Sequence, residues 1–181
     1  GCSLGGACLT RLLALGEVTV KQAIIDGGIT PYQMPAPLRR LACLRDFLGF
    51  KLLAGSRKLL EAAYPPEKYT LPGHDPVKEY DAMEHYLKGY SGRTIRNIFW
   101  SGNNFALPET PVQTVGCLTY WYGEAERKSR RSNIRFIKQY FPQARICCIP
   151  GMEHAELVII HPQEFYQRVN ETFEYCYRRN T

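Results

Sequence analysis

No apolar run in the 181-residue chain approaches the ~20 residues needed to span a bilayer, so no membrane partner is expected. The start of the chain lacks the basic stretch and apolar segment of a secretory signal. Cys-x-x-Cys spacing is also missing. The seven cysteines, Cys2, Cys8, Cys43, Cys117, Cys147, Cys148 and Cys176, are odd in number and lie mostly in apolar stretches. That pattern argues against a disulfide scaffold or a zinc site. It predicts reduced, mostly buried thiols in a cytoplasmic protein. There is no internal repeat and no low-complexity segment, and no metal or cofactor is expected.

The chain does carry a net charge of +6 and a pI near 9.0. Such a balance suits an anionic partner. The positive charge gathers in Arg127-Lys128-Ser129-Arg130-Arg131 and in Arg178-Arg179, and neither run has a nucleic-acid motif beside it. Both read as solvated helix faces, and no nucleic-acid partner is expected. Hydrophobic residues at 45% and charged residues at 22% are ordinary for a globular protein. The length allows one domain, or one domain with an insertion.

Local patterns alternate between helix and strand. Leu4 to Leu15 predicts a helix, with Leu4, Ala7, Cys8, Leu12 and Leu15 at helical spacing and Gly16 as its stop. Ala23-Ile24-Ile25 predicts a buried strand near 22–26, closed by the turn Asp26-Gly27-Gly28. Val112 to Trp121 predicts a second strand, Lys128 to Tyr140 a helix, and Ala144 to Ile149 a third strand. In the 128–140 helix, Ile134, Ile137 and Tyr140 are the inward candidates. Pro162 opens a last helix whose expected stripe is Phe165, Val169, Phe173 and Cys176. Alternation of this kind implies a parallel sheet.

Residues 32–109 interrupt it. Leu38 to Leu53 predicts an apolar helix with Leu41, Leu44, Phe47, Leu48 and Leu52 facing inward. Asp75-Pro76 and Ser91 have the cap chemistry of two further helices. No strand pattern occurs there, so the segment predicts an all-helical insertion, separate from a core built of 1–31 and 110–181.

The chemistry centres on Gly1-Cys2-Ser3-Leu4-Gly5-Gly6, a G-x-S-x-G sequence. A serine hydroxyl is a weak nucleophile until a base takes its proton. A sharp strand-to-helix turn can present it, with Gly1 and Gly5 expected where side chains would strike neighbouring backbone. The Leu4 N–H then faces a developing oxyanion. In an open parallel sheet, ligands bind beyond the carboxyl ends of the strands. Glu124 and Glu126 follow one predicted strand, and His154 follows the next. Either glutamate is a candidate to orient His154, and His154 is a candidate base for Ser3. His161 reads as a helix cap. His74 and His85 have no nucleophile to pair with. Tyr80, Tyr86, Tyr90, Phe99, Trp100 and Phe105 read mainly as the core of the insertion.

With these residues in view, the chain resembles the C-terminal two-thirds of a capped, esterase-like α/β-hydrolase. The resemblance rests on Gly1 to Gly6, on Tyr122-Gly123-Glu124-Ala125-Glu126, and on Pro150-Gly151-Met152-Glu153-His154 with Pro162 and Phe165 behind. It implies an α/β class: a partial α/β-hydrolase fold of parallel strands with flanking helices and an all-helical cap at 32–109. It implies catalytic Ser3, Glu126 and His154, with Leu4 in the oxyanion hole. It also implies a small-molecule acyl or ester substrate. Glutamate stands where aspartate is commoner in the family, which keeps Glu124 as a rival acid. The family's earlier strands and second oxyanion donor are expected upstream of Gly1, and this stretch alone is expected to be a poor catalyst. Three other classes compete: a non-catalytic binder on the same fold, an N-terminal-nucleophile enzyme and a basic nucleic-acid binder. An N-terminal nucleophile would have to be the first residue, which here is Gly1.

Overall fold

The computed structural model describes residues 1–105, 112 and 115–180, without the side chains of 179 and 180. It forms two compact units. One joins Gly1–Gln33 with Phe105–Thr181, and the other is Met34–Asn104. The expected boundary near 109–110 falls outside the described residues.

The first unit holds strands β1 (Val20–Asp26), β2 (Val115–Gly123) and β3 (Arg145–Ile149). They pair in parallel in the order β1-β2-β3. Ile25 lies opposite Tyr120, and Tyr122 opposite Cys148. The second strand runs to Gly123, two residues beyond the predicted end; part of its predicted start, 113–114, is outside the described residues. β2 is buried almost throughout, as expected of a parallel strand covered on both faces. Leu118, Tyr120 and Tyr122 point to one face. There they pack with Ala23 and Ile25 of β1, with Leu13 of α1 (Leu4–Leu15), and with Phe136 and Ile137 of α7 (Arg131–Tyr140). Trp121 points the other way. It packs with Ile149 and Leu157, and with Phe165 and Val169 of α9 (Pro162–Asn180). The short α8 (Glu156–Ile160) supplies Leu157.

One predicted face is displaced, and another departs at a single residue. In α1 the buried residues are Gly6, Ala7, Thr10 and Leu13, whereas Leu12, Leu15 and Cys8 are exposed. In α9 Phe165, Val169 and Cys176 face the core as expected, while Thr172 is buried and Phe173 exposed. The spacing of apolar residues does not reveal where a small or hydroxyl side chain permits closer packing than a large one.

The cysteine reading needs a larger correction. Cys117 of β2 and Cys176 of α9 form a disulfide across 59 residues of sequence. Both point to the face that α9 covers, so the fold itself brings the two thiols within bonding reach. The cytoplasmic expectation drawn from reduced thiols loses that support. No helix among the described residues is long and apolar enough to cross a membrane.

The second unit is helical among its described residues: α2 (Ala36–Gly55), α3 (Arg57–Ala63), α4 (Pro66–Tyr69), α5 (Pro76–Gly89) and α6 (Gly92–Asn103). Asp75 caps α5 by accepting from the Val77 N–H at 2.9 Å, and Ser91 caps α6 by accepting from Thr94 at 3.0 Å. Leu60, Tyr80 and Ile95 are its buried large side chains. The inward face of α2 differs from the expected one. Leu41, Leu44, Leu48 and Leu52 are 51–63% exposed, while Ala42, Cys43 and Ala54 are buried. The helix is apolar around most of its circumference, so spacing alone could not choose a face. Phe50 packs edge-on against Tyr90 and Phe99 on the side that is buried.

Candidate active site

Ser3 stands at the N-terminus of α1 with φ 51° and ψ −116°, a conformation non-glycine residues avoid. Such strain persists only where the surroundings enforce it. Here the Ser3 N–H donates to Asp26 O at 2.9 Å, and the Asp26 N–H donates to Gly1 O at 2.9 Å. Cys2 makes a parallel bridge to Asp26 at the end of β1. The serine and the two residues before it are therefore stitched to the end of β1.

Of the two flanking glycines, Gly1 meets the expectation and Gly5 does not. A Cβ on Gly1 would stand 2.5 Å from Gly5 O, so the chain needs glycine there, while Gly5 itself has open space. The second close approach belongs to Gly6, whose Cβ would meet Gly28 Cα at 2.5 Å.

His154 follows β3 and Glu126 ends the 3-10 turn Glu124–Glu126 after β2. The structure brings both to Ser3. His154 Nε2 lies 3.0 Å from Ser3 Oγ, and His154 Nδ1 lies 2.8 Å from Glu126 Oε1. Residue 155, immediately after His154, is Ala155 at φ 59°. Ser3 and Ala155 are the non-glycine residues with positive φ among those described, and both adjoin this cluster.

Glu124 points elsewhere. Its Oε2 accepts from the Gly151 N–H at 3.1 Å and its Oε1 faces Arg127 at 3.5 Å, with half the side chain exposed. It ties the loop after β2 to the loop after β3, a tie reinforced by the Ala125 N–H donating to Met152 O at 3.2 Å.

Glu126 is 6% exposed and its second oxygen, Oε2, accepts from the Gly123 N–H at 3.2 Å. Burial opposes its ionisation. The hydrogen bond with His154 and the positive charge of Arg130 outweigh that, and hold the carboxyl below the usual glutamate range.

Two participants are not legible from the sequence as such. Arg130 lies in a run that reads as a solvated basic face, yet its side chain is only 12% exposed. Its Nε donates to Glu126 Oε1 at 2.6 Å, and its Nη2 lies 2.5 Å from the same oxygen and 2.9 Å from His154 Nδ1. The i, i+4 spacing from Glu126 is the available signal. Guanidinium only donates, so Nδ1 accepts from Arg130 in one tautomer and donates to Glu126 in the other. Asp26, which reads as a turn residue, is the second. It is 6% exposed with Oδ2 unpartnered, and its pKa is raised, first by burial and then by the Glu126 charge. Cys2, bonded to Asp26, has its thiol pushed up to about 11, chiefly by burial, which keeps it protonated at neutral pH. Among the described residues no group of three His, Cys, Asp or Glu is placed to hold a metal.

The arrangement can pass a proton from a hydroxyl to an imidazole whose far nitrogen faces a buried carboxylate. No family model and no curated protein matches the sequence. Solved structures do match by shape. An alpha/beta hydrolase family protein from Desulfitobacterium hafniense superposes with TM-score 0.60 at 17% identity, covering 94% of this chain and 66% of that one. A marine microorganism esterase superposes with TM-score 0.53 at 21% identity, covering 95% and 68%. The chain thus spans about two-thirds of the length of these structures. Three parallel strands with flanking helices, matched over nearly all of this chain, make its fold a partial α/β-hydrolase fold.

Proposed function

We propose that the protein is a serine hydrolase of carboxylic esters or related acyl compounds. The observation that carries this reading is the continuous contact from Ser3 Oγ through His154 to Glu126, at 3.0 and 2.8 Å. Ser3 Oγ attacks the acyl carbon as His154 Nε2 takes its proton. Glu126 holds the ring by its Nδ1–H and stabilises the imidazolium. The oxyanion lies toward the Leu4 N–H, in the first turn of α1, where N–H groups have no acceptor within the helix. Collapse expels the leaving group, which His154 protonates. Water then attacks the acyl-serine with His154 again as base. The segment 32–109 serves as a cap that sets acyl preference, and exchanging it should change the preferred chain length.

The test is covalent labelling by a fluorophosphonate with ester turnover measured in parallel. Labelling should map to Ser3 and both signals should vanish in Ser3→Ala. Turnover undiminished in that variant would overturn the assignment. Ligand retention without turnover or labelling would favour a non-catalytic binder.

A further inference from the structure

The helical unit carries a groove of about 570 Å³ between α2 and α6, in the size range of small-molecule sites. Its apolar wall is Cys43, Leu44, Phe47 and Trp100. Its other notable lining is three arginines, Arg40, Arg93 and Arg96. Helical periodicity explains the grouping. Arg40, Leu44 and Phe47 recur at four and three residues on α2, and Arg93, Arg96 and Trp100 at three and four on α6. The groove wall is held on its buried side, where Cys43 Sγ reaches Phe99 O at 3.7 Å and Phe50 packs on Phe99.

The charge is uncompensated. None of the three guanidiniums has an ion pair or side-chain hydrogen bond among the described residues. Elsewhere in the same unit Arg57 is paired with Glu61 and Asp81, and Arg45 with Asp46, while the buried Nε of Arg39 has no partner among the described residues. Three like charges along one apolar trough repel one another, and an anion between them would relieve that repulsion. Guanidinium matches carboxylate and phosphate oxygens in a two-pronged geometry. The trough beside them accepts hydrocarbon and offers it no hydrogen bond.

We propose that this groove binds a single-chain anionic amphiphile, with its carboxylate among Arg40, Arg93 and Arg96 and its alkyl chain along Leu44, Phe47 and Trp100. Every residue it uses belongs to the helical unit, and the proposal does not rest on the hydrolase reading.

The full chain is titrated with dodecanoate below its micellar concentration, following Trp100 fluorescence and, in parallel, heat release. Trp121 is buried in the other unit's core. The fluorescence change is therefore assigned to Trp100, and it should saturate at the same dodecanoate concentration as the heat. Dodecanoate should bind about tenfold or more tighter than undecanol, which carries the same alkyl chain, since charged hydrogen bonds exceed the 1.4 kcal/mol that tenfold represents. The Arg93→Gln, Arg96→Gln double variant should lose that advantage and the salt dependence with it. These arginines are exposed, so the variant should fold, and an unchanged melting temperature checks it. Equal binding of undecanol, or undiminished dodecanoate binding by the double variant, would overturn the proposal. So would binding to phosphatidylglycerol vesicles with none to monomeric dodecanoate, which would make the face a lipid-surface contact. Inorganic phosphate binding as tightly as dodecanoate would also overturn it, because the alkyl chain would then contribute nothing.

Discussion

Arg130 and His154 converge on a single oxygen: Glu126 Oε1 lies 2.6 Å from Arg130 Nε and 2.8 Å from His154 Nδ1. The carboxylate is therefore held from the helix side by a fixed cation, independent of the histidine it faces. On the hydrolase reading Arg130 is a positioning residue that never meets the substrate.

Arg130→Met should lower kcat by roughly 10–100-fold with little change in KM, because about 1 Å of misplacement in such a site can cost 10²-fold. Arg130→Lys, which restores a charge without the planar fork, should recover part of it. Steady-state kinetics with a melting curve for each variant decide this. A loss confined to KM, or explained by unfolding, would remove Arg130 from the machinery.

Glu126→Gln should reduce kcat by about 10⁴, the size of loss seen when a triad aspartate becomes an amide. Glu124→Gln should leave kcat within several-fold, since its carboxylate bonds Gly151 and Arg127. The reverse order in single-turnover rates would make Glu124 the orienting acid.

Asp26 bears on stability. Its pKa is raised in the folded chain, chiefly by burial. A raised folded pKa means that its favourable contribution is full below the unfolded value of about 3.9 and is lost as pH rises through the folded value. At neutral pH the buried Asp26 is thus a burden. Asp26→Asn should raise Tm at pH 7, and the gain should shrink toward zero as pH falls to about 4. Calorimetry across that window checks the sign, and a lowered Tm at neutral pH would show that Asp26 is favourably ionised.

Breaking the link between β2 and α9 should cost more than a cavity would suggest. Cys176→Ser should destabilise the chain by about 2–4 kcal/mol, largely by freeing the 59-residue loop in the unfolded state. Non-reducing peptide mapping should recover Cys117 joined to Cys176, with Cys2, Cys8, Cys43, Cys147 and Cys148 as free thiols. Denaturation that is unchanged by reductant would argue against the bond.

Much of this protein was determined locally. The change from helical to strand periodicity set out α1, β1, β2, α7, β3 and α9, because each period reflects a backbone geometry that a few consecutive residues can specify. Asp75 and Ser91 marked helix starts because a cap acts on N–H groups two or three residues away. The order of Ser3, Glu126 and His154 was likewise readable, since each lies just beyond an element whose end the sequence shows. Only the tertiary structure decided the rest, and each case involves a partner distant in sequence or a choice among equivalent neighbours. Glu124 and Glu126 differ by two residues, and the 3-10 turn aims one at Gly151 and the other at His154. Arg127 and Arg130 look alike in a basic run, but the turn before α7 puts the first in solvent and the second on Glu126. Cys117 and Cys176 meet only because α9 crosses the face of β2. The leucines of α2 offered two apolar faces, and packing against α6 buried Ala42 and Cys43 while leaving the leucines exposed. Local chemistry chooses backbone conformation, and only the packing of distant segments chooses which side chains meet.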